Sequence, residues 1–229
     1  MKLSIIIPAY NEERTVLEIV NKVKNQEVLN MTKEIIVVDD GSTDSTYSLL
    51  KSVKAIRVLK HPANRGKGAA IRTGLAKASG DIILVQDADL ELDPADYPSL
   101  MKPFLKKNAS VVYGSRILGN NLANKILPYY FGGRLVTFFA NLIYGIKITD
   151  EPIGYKAFKS EVIKGLNLEC ERFEFCPEVT AKIARKKIPI YEVPVRYYPR
   201  TTLEGKKLRV KDGVEAIWTL IKYRFKPIA

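Results

Sequence analysis

The sequence has very few of the residues that build zinc sites or disulfide frameworks. Among 229 residues there are two cysteines, Cys170 and Cys176, and one histidine, His61. Together they match no recognised zinc-ligand spacing, and two thiols do not make a disulfide-rich secreted domain. We expect both cysteines to be reduced, with a disulfide as the minor alternative.

Long apolar runs are also scarce. The apolar part of residues 1–8 is too short for a signal peptide and predicts a first strand, so we expect an intracellular protein. The most apolar stretch, residues 126–146, is about long enough to cross a bilayer. Pro128, the Gly132-Gly133-Arg134 break and Asn141 instead favour a packed or interfacial helix.

Glycine is missing where a dinucleotide-binding fold needs it. The loop after the first predicted strand reads Pro8-Ala9-Tyr10-Asn11-Glu12-Glu13. Without glycine a pyrophosphate cannot approach this backbone, which argues against a dinucleotide-dependent oxidoreductase. No G-x-x-x-x-G-K-[ST] loop is present either. Asn64-Arg65-Gly66-Lys67-Gly68 by itself predicts only a tight turn before a helix.

Negative charge is in deficit. The chain carries 37 Lys and Arg against 25 Asp and Glu, a net charge of +12. This excess predicts an anionic partner: a nucleotide, a phosphorylated lipid, a membrane surface or a nucleic acid. Hydrophobic residues at 46% and charged residues at 27% are ordinary for a folded globular protein.

Short β-branched runs alternate with amphipathic segments in the first half of the chain, which is typical of parallel βαβ units. We predict strands at residues 3–7, 34–38, 55–59, 82–85, 111–113, 155–158 and 188–195. Helices are predicted to begin at Asn11, at Ser42-Thr43-Asp44 and at Asp93-Pro94, and to cover residues 67–77, 134–144, 174–185 and 210–225. The fold class is therefore α/β, with a mostly parallel sheet flanked by helices.

Acidic residues follow two of these strands at the edge where parallel sheets bind ligands. Val37-Val38-Asp39-Asp40 ends the second strand, and the fourth runs into Asp87-Ala88-Asp89-Leu90-Glu91. Carboxylates two residues apart repel one another unless a cation or hydrogen-bond donors neutralise them, so we predict a seat for a divalent cation carrying a diphosphate. Asp39 is predicted to bind a ribose or base, with an Asx turn as the alternative.

Taken together, these segments resemble the family 2 glycosyltransferases of GT-A fold, and more narrowly the dolichyl-phosphate mannose and glucose synthases. The resemblance is carried by Ile6-Ile7-Pro8-Ala9-Tyr10-Asn11-Glu12, Val38-Asp39-Asp40-Gly41-Ser42, Asn64-Arg65-Gly66-Lys67-Gly68, Asp87-Ala88-Asp89, Gly114-Ser115-Arg116 and Asp150-Glu151-Pro152-Ile153-Gly154-Tyr155. It implies one GT-A domain over residues 1–229, with a nucleotide-sugar-binding half at 1–117. The acceptor-binding half, 118–229, would end in an amphipathic helix.

The resemblance also implies roles for single residues. The nucleotide-sugar would be bound by Pro8, Tyr10, Glu12, Val37, Asp39, Asp87, Ala88, Asp89, Arg200 and Lys207, with Lys206 as the alternative to Lys207. Asp89 and Glu91 would bind a Mg²⁺ or Mn²⁺ that bridges the diphosphate. Family members often carry Gln at the position of Glu91, so this site has an extra negative charge.

On the acceptor side, Arg116, Arg134 and Thr137 match positions that the family uses for a phosphate, so Asp89, Arg116 and Arg134 are the candidate catalytic residues. A lipid phosphate is already ionised near neutral pH and needs docking cations rather than a general base. A buried, unpaired Arg134 would be costly, with a structural ion pair as the alternative. Asp150 is the candidate base if the acceptor is a sugar hydroxyl.

The implied activity is inverting, metal-dependent transfer of mannose or glucose from GDP-mannose or UDP-glucose to dolichyl or polyprenyl phosphate. We expect a peripheral enzyme at the cytoplasmic membrane face. Transfer to a saccharide hydroxyl in cell-wall or surface-polysaccharide synthesis is the alternative. Nucleic-acid binding is disfavoured because the acidic strand edge repels phosphate chains.

Membrane contact has two candidate segments. The last helix combines Trp218, Tyr223 and Phe225 with Lys222, Arg224 and Lys226, as an interfacial helix does, or packs on the sheet. The second is Tyr129-Tyr130-Phe131.

Overall fold

The computed structural model of the protein describes residues 1–119, 127–200 and 210–227. The strands are β1 (Lys2–Ala9), β2 (Thr32–Asp39), β3 (Arg57–Lys60), β4 (Ile82–Val85), β5 (Val111–Ser115), β6 (Lys156–Lys159) and β7 (Ile190–Pro194). The helices are α1 (Val16–Asn25), α2 (Thr46–Lys51), α3 (Lys67–Lys77), α4 (Tyr97–Lys106), α5 (Leu127–Tyr144), α6 (Ser160–Lys164), α7 (Phe175–Arg185) and α8 (Val210–Phe225).

The strands form one sheet in the order β3-β2-β1-β4-β6-β5-β7. β1 pairs in parallel with both β2 and β4, and β5 pairs in parallel with β7. β6 alone is antiparallel, inserted between β4 and β5. The predicted mostly parallel sheet is confirmed, and the carboxyl ends of β1, β2 and β4 meet at one edge.

Alternating residues of β1 build the two layers of the core. Ile5 and Ile7 face the layer that contains α1, where Ile19 and Val23 are fully buried. Ile6 faces the opposite layer and packs against α3. A Cβ on Gly74 of α3 would lie 2.5 Å from Ile6 Cγ2, so this glycine lets the helix approach the sheet.

Several predicted element boundaries are wrong. α1 begins at Val16 rather than at Asn11, because Asn11 takes a left-handed φ of 50° and its Oδ1 accepts a hydrogen bond from Thr43 N. β3 begins at Arg57 rather than at residue 55, where Ala55 has a φ of 65°. α5 begins at Leu127 and runs through the Gly132-Gly133 pair, well before the predicted start at Arg134.

Two expectations about the whole chain can be compared with the structure. Cys170 and Cys176 are both free thiols, as predicted. Among the helices of the described ranges, none has the combined length and apolarity that crossing a membrane requires.

Candidate active site

The loops after β1 and β2 are tied together at the carboxyl edge of the sheet. Ser42 Oγ accepts a hydrogen bond from Asn11 N at 3.0 Å, and Thr46 Oγ1 accepts one from Glu12 N at 2.8 Å. These bonds use side chains of one loop to satisfy the backbone of the other. Tyr10 and Glu12, which are predicted to bind the nucleotide-sugar, therefore lie in a loop whose backbone is held in place by the loop after β2.

Asp39, the last residue of β2, is a buried carboxylate without a partner. Its side chain is fully buried, and neither carboxylate oxygen has a hydrogen-bond partner. Burying an unpaired polar group is costly, so native proteins usually satisfy such groups. A ligand N–H or O–H that bonds to Asp39 would therefore regain a stabilising interaction that the free protein lacks.

The adjacent Asp40, unlike Asp39, has several hydrogen-bond partners, and they hold the glycine-rich loop in place. It accepts hydrogen bonds from Arg65 N at 3.0 Å and Gly66 N at 2.7 Å, and His61 Nδ1 lies 2.6 Å from its Oδ1. Gly66 has a φ of 99°, and a Cβ there would lie 2.5 Å from the Glu171 carbonyl oxygen. Asp40 and His61 thus position the loop that leads into α3.

Lys67, the first residue of α3, is a site residue that the sequence reasoning did not assign. Its Nζ forms an ion pair with Asp87 at the end of β4. Burial alone would lower the pKa of Lys67, but the Asp87 carboxylate holds that pKa above its ordinary value. Its place directly after a glycine-rich turn at the sheet edge was the signal that could have identified it.

The turn that carries Asp87, Asp89 and Glu91 is clamped by a second residue that was not predicted, Gln86. Its Oε1 accepts hydrogen bonds from the hydroxyls of Tyr97 and Tyr155, each at 2.7 Å. Its Nε2 donates to the Asp87 and Leu92 carbonyl oxygens at 3.0 and 3.2 Å. Gln86 is fully buried, so these bonds fix the start and the end of the acidic turn.

Gly154 provides the space in which the Asp87 carboxylate lies. A Cβ added at residue 154 would fall 2.0 Å from Asp87 Oδ2, a distance that no real structure tolerates. The predicted motif Asp150-Glu151-Pro152-Ile153-Gly154-Tyr155 therefore passes directly beside the acidic turn. The structure brings together these two motifs, which are far apart in the sequence.

Asp89 is bonded to the guanidinium of Arg200. Arg200 Nη2 lies 3.0 Å from Asp89 Oδ2, and its Nη1 lies 3.0 Å from Glu12 Oε2. Burial, and then the charges of Asp87 and Glu91, raise the pKa of Asp89 to about 7, although Arg200 opposes this rise. A further cation that binds beside a carboxylate buried among other acids stabilises its ionised form.

Glu91, the other predicted metal ligand, anchors the segment that carries Arg200. Its Oε1 accepts a hydrogen bond from Arg200 N at 2.9 Å, and its Oε2 accepts one from the Tyr197 hydroxyl at 3.1 Å. Tyr198 N also donates to the Glu91 carbonyl oxygen at 2.9 Å. Glu91 is therefore linked to the segment after β7 by backbone and side chain alike.

The donor set of the acidic turn fits a hard divalent cation. Asp87, Asp89 and Glu91 offer carboxylate oxygens, the ligands that Mg²⁺ and Mn²⁺ prefer. Within the described ranges no cluster of three His, Cys, Asp or Glu side chains is already arranged to hold a metal. Magnesium is commonly bound by one or two carboxylates together with substrate phosphates, so the arrangement suits a metal that binds with a diphosphate.

On the acceptor side, the partly exposed Arg116 forms an ion pair with the buried Asp150. Arg116 Nε and Nη2 donate to the two carboxylate oxygens of Asp150 at 2.7 and 2.6 Å, and Arg116 N donates at 2.9 Å. The guanidinium also lies over the Tyr197 ring, 4.9 Å from its centroid. Asp150 holds the pKa of Arg116 above its ordinary value although burial acts to lower it.

Arg134 and Thr137, one turn apart on α5, differ in exposure. Arg134 is exposed, so the expectation that its charge is buried is wrong, and the energetic argument built on that burial does not apply. Thr137 is buried, and its hydroxyl donates to the Gly133 carbonyl oxygen at 2.8 Å and accepts from Glu151 N at 3.0 Å. The Thr137 hydroxyl therefore already joins α5 to the Asp150-Glu151 segment.

The remaining predicted residues complete the edge. Val37 and Ala88 are buried, whereas Pro8 and Tyr10 are partly exposed. Lys206 and Lys207 lie outside the described residues. The predicted donor residues of the described ranges thus come from the ends of β1, β2 and β4 and from the segment after β7.

Comparison with known proteins decides the family. A protein-family model described as Glycosyl transferase family 2 matches residues 4–166, more than half of the chain. The chain belongs to glycosyl transferase family 2. It is a glycosyltransferase, as the resemblance of its motifs implied.

Several curated relatives cover most of the chain. It is 33% identical over 214 residues to the UDP-N-acetylglucosamine–dolichyl-phosphate N-acetylglucosaminyltransferase of Methanococcus voltae, covering 84% of each chain. It is 32% identical to the dolichol-phosphate mannosyltransferase of Pyrococcus furiosus, covering 97% of this chain and 64% of the relative. It is 31% identical to the dolichyl-phosphate beta-glucosyltransferase of Dictyostelium discoideum, covering 98% and 74%.

Solved structures share the fold. Glucosyl-3-phosphoglycerate synthase from Mycobacterium tuberculosis, crystallised with Mn²⁺, UDP-glucose and phosphoglyceric acid, matches with a TM-score of 0.76 and 20% identity, over 100% of this chain and 81% of that one. The same enzyme with Mg²⁺ and UDP gives a TM-score of 0.71 at 21% identity, over 100% and 81%. The predicted GT-A α/β fold is confirmed.

Proposed function

We propose that the protein transfers one sugar from a nucleotide-sugar to dolichyl or polyprenyl phosphate, with inversion and with a divalent metal. The observation that carries the proposal is the Arg116–Asp150 ion pair. Both oxygens of the Asp150 carboxylate already accept hydrogen bonds from the Arg116 guanidinium, so Asp150 is poorly placed to take a proton from a hydroxyl. An ionised phosphate needs no such base and is attracted by cations.

The names of the curated relatives support the acceptor. Three of them, from Methanococcus voltae, Pyrococcus furiosus and Dictyostelium discoideum, are named for dolichyl or dolichol phosphate. They differ in the sugar, which is N-acetylglucosamine, mannose or glucose. GDP-mannose and UDP-glucose therefore remain our donor candidates, and UDP-N-acetylglucosamine joins them.

Asp39 is assigned to the nucleoside. Because this carboxylate is buried and unpaired, it favours a base or ribose that presents a hydrogen-bond donor. Guanine and uracil both carry an N–H on the edge that forms base pairs, so this contact supports either base. Pro8, Tyr10, Glu12 and Val37 would enclose the same nucleoside.

The diphosphate is assigned to the acidic turn and to the cations beside it. Asp89 and Glu91, with Asp87 adjacent, would hold Mg²⁺ or Mn²⁺, which as a Lewis acid would neutralise charge on the leaving group. Lys67 and Arg200 form ion pairs with acids of this turn, and both can turn toward diphosphate oxygens instead. Lys207 remains a proposed contact outside the described residues.

The acceptor phosphate is assigned to the side of Arg116. Arg116 is partly exposed and is held by Asp150, while Arg134 is exposed on the neighbouring helix. We assign both to the phosphate, with Thr137 as a support for their shared segment. Most contacts to the donor would thus come from residues 1–117, with Arg200 and Lys207 added from the second half. The acceptor would bind between Arg116 and residues 118–229, at the cytoplasmic face of a membrane.

The test is a panel of donors against one acceptor. The protein is incubated with Mg²⁺, polyprenyl phosphate and UDP-glucose, GDP-mannose or UDP-N-acetylglucosamine in turn, and lipid-linked sugar and released nucleotide are measured. We expect one donor to give a metal-dependent lipid product, and Asp89→Asn to abolish it. Transfer to a saccharide with no lipid product would overturn the proposal in favour of the hydroxyl alternative.

A further inference from the structure

Tyr197, in the segment after β7, contacts both sides of the proposed site. Its hydroxyl donates a hydrogen bond to Glu91 Oε2 at 3.1 Å. The Arg116 guanidinium lies over its ring, 4.9 Å from the ring centroid. Glu91 is assigned to the metal and Arg116 to the acceptor phosphate, so a single side chain touches one residue of each side.

The backbone on either side of Tyr197 is anchored. Arg196 N donates to Asp96 Oδ2 at 2.7 Å, and Arg196 Nη2 lies 2.8 Å from Asp96 Oδ1. Tyr198 N donates to the Glu91 carbonyl oxygen at 2.9 Å. The Tyr197 ring itself is partly buried and packs against the core layer that contains α1. These contacts leave the ring little freedom, so its position depends on the acidic turn and on the residues that it touches.

The bond to Glu91 suits a residue that supports a metal ligand. A carboxylate that binds a metal is usually held by further hydrogen bonds, and losing such a partner costs about 10–100-fold in metal affinity or activity. An ionised carboxylate has about four lone-pair positions, so Glu91 can bind a metal and keep its bond to the Tyr197 hydroxyl. When Glu91 holds the metal, its carboxylate and the Tyr197 hydroxyl would therefore be fixed together.

The contact with Arg116 suits a residue that orients a phosphate ligand. A guanidinium is planar and stacks on aromatic faces, so the Tyr197 ring limits how the Arg116 side chain can turn. Asp150 holds the same guanidinium through hydrogen bonds of 2.7 and 2.6 Å. Bidentate recognition of a phosphate depends on the plane of the guanidinium. A shift of the ring would therefore change how Arg116 meets the acceptor.

We propose that Tyr197 is a positioning residue that couples the metal and donor side of the site to the acceptor side. Its hydroxyl responds to the Glu91 carboxylate, and its ring sets the orientation of Arg116. The inference rests on the proposed function, because it needs a metal at Glu91 and a phosphate at Arg116. Its consequence is that the acceptor phosphate binds more tightly once the metal and the nucleotide are bound. Coupling between two binding sites is reciprocal, so the acceptor should strengthen the binding of metal and nucleotide by the same factor.

A purely structural role is the rival explanation, since the Tyr197 ring also packs against the core. Loss of packing would lower the free energy of unfolding and weaken both ligands. The factor by which it weakens one ligand would not depend on whether the other is bound. Tyr197→Phe keeps the ring and removes only the hydroxyl, so this variant tests the coupling separately from the packing.

The test measures the binding of geranyl phosphate, a water-soluble prenyl phosphate, by isothermal titration with and without Mn²⁺ and a nucleoside diphosphate. UDP and GDP are used in parallel series, because the proposed donors carry one or the other. We expect the wild type to bind geranyl phosphate at least about fivefold more tightly when Mn²⁺ and the matching nucleotide are present. Tyr197→Phe should match the wild type in their absence and lose most of the gain in their presence.

Two further variants serve as controls. Tyr198→Phe removes the hydroxyl of the neighbouring residue, which is 48% exposed, and keeps its backbone bond to Glu91, so the full gain should remain. Tyr197→Leu removes the ring as well and should weaken the binding of geranyl phosphate severalfold in both conditions. Thermal unfolding confirms that each variant is folded before its affinities are compared.

The possible failures of the inference and of the proposed function give different results. A gain in Tyr197→Phe equal to that of the wild type would overturn the coupling role of Tyr197. A wild type that binds both ligands without any gain would also overturn it. In both cases the proposed function stands. If geranyl phosphate binds the wild type under no condition, the assignment of the acceptor fails and the inference fails with it.

Discussion

Arg200 lies between Asp89 and Glu12, with its guanidinium nitrogens 3.0 Å from an oxygen of each carboxylate. In the free protein the positive charge beside Asp89 thus comes from the chain itself. A metal that binds Asp89 would compete with Arg200 for this carboxylate. Once released, Arg200 would be a cation next to the acidic turn, where the diphosphate that accompanies the metal is proposed to bind.

Replacing Arg200 should therefore separate metal binding from donor binding. Arg200→Ala should raise the affinity of the free protein for Mn²⁺, because the metal no longer displaces a bonded cation. The same variant should weaken the nucleotide-sugar by about tenfold or more, since a charge-assisted contact to phosphate is lost. Isothermal titration with Mn²⁺ alone, and then with Mn²⁺ and nucleoside diphosphate, measures both effects.

Arg196→Ala is the matched control for that experiment. Arg196 is in the same segment but forms its ion pair with Asp96, outside the acidic turn. It should leave both affinities near those of the wild type. A parallel loss of metal and donor affinity in Arg200→Ala would show that Arg200 supports the metal site rather than competing with it.

Asp89 should make the stability of the ligand-free protein depend on pH. The pKa of Asp89 is raised to about 7 by burial and by its acidic neighbours, whereas an unfolded Asp titrates near about 4. Between these values the folded protein retains a proton that the unfolded chain has lost. The free energy of unfolding should therefore fall as the pH rises through this window.

Asp89→Asn removes this dependence and tests it. Without metal, the free energy of unfolding of the variant relative to wild type should rise between pH 4 and pH 8, by on the order of a few kcal/mol at most. The variant should also lose transfer activity. Denaturant unfolding at a series of pH values measures the difference. If wild type and variant show the same slope across the window, Asp89 is ionised throughout and the assigned burial effect is wrong.

The neighbouring residues Asp39 and Asp40 should respond oppositely to the same change. Asp39→Asn should leave the free energy of unfolding unchanged or higher, since the carboxylate has no partner, while raising the KM for the donor. Asp40→Asn should lower the free energy of unfolding by about 1–3 kcal/mol, because His61, Arg65 and Gly66 all form hydrogen bonds with the Asp40 carboxylate. Thermal unfolding and donor kinetics of both variants provide the comparison. Equal destabilisation by both would remove the nucleoside assignment of Asp39.

How far the site could be predicted depended on whether its parts are local. Asp39, Asp87 and Asp89 directly follow apolar strands, and parallel strands bring their carboxyl ends to one edge, so this grouping was predictable. The bond from Arg200 to Asp89 joins residues separated by 111 positions, which no local pattern encodes. The antiparallel direction of β6 was likewise invisible, because an apolar run predicts a strand but not its orientation.

Surface exposure shows a second limit of sequence reasoning. The aromatic and basic residues of α8 suggested membrane contact, but the sequence cannot say whether protein or solvent meets a given side chain. Phe225 and Tyr223 were both considered for membrane contact, yet Phe225 is 80% exposed and Tyr223 is 2% exposed. The burial expected for Arg134 was wrong for the same reason. Its apolar segment suggested a buried side chain, whereas the structure exposes it.

Asp150 should act through Arg116 rather than as a base. Asp150→Asn loosens the guanidinium, so the KM for the acceptor should rise several-fold while kcat changes little. Loss of a general base instead lowers kcat by about 10²–10⁴-fold and removes the acidic limb of the pH profile. Steady-state kinetics with the lipid acceptor, in parallel with Arg116→Lys, separate the two roles. A kcat loss of the larger kind would restore Asp150 as the base.

The acceptor is the central claim, and a pair of lipids that differ in one group tests it most directly. Polyprenyl phosphate and the matching polyprenol are each offered with the same nucleotide-sugar and Mg²⁺, and the glycosylated lipid is quantified. The Arg116–Asp150 pair predicts product from the phosphate alone, with Arg116→Ala reducing it. Comparable glycosylation of the free alcohol would contradict the assignment of this site to a phosphate.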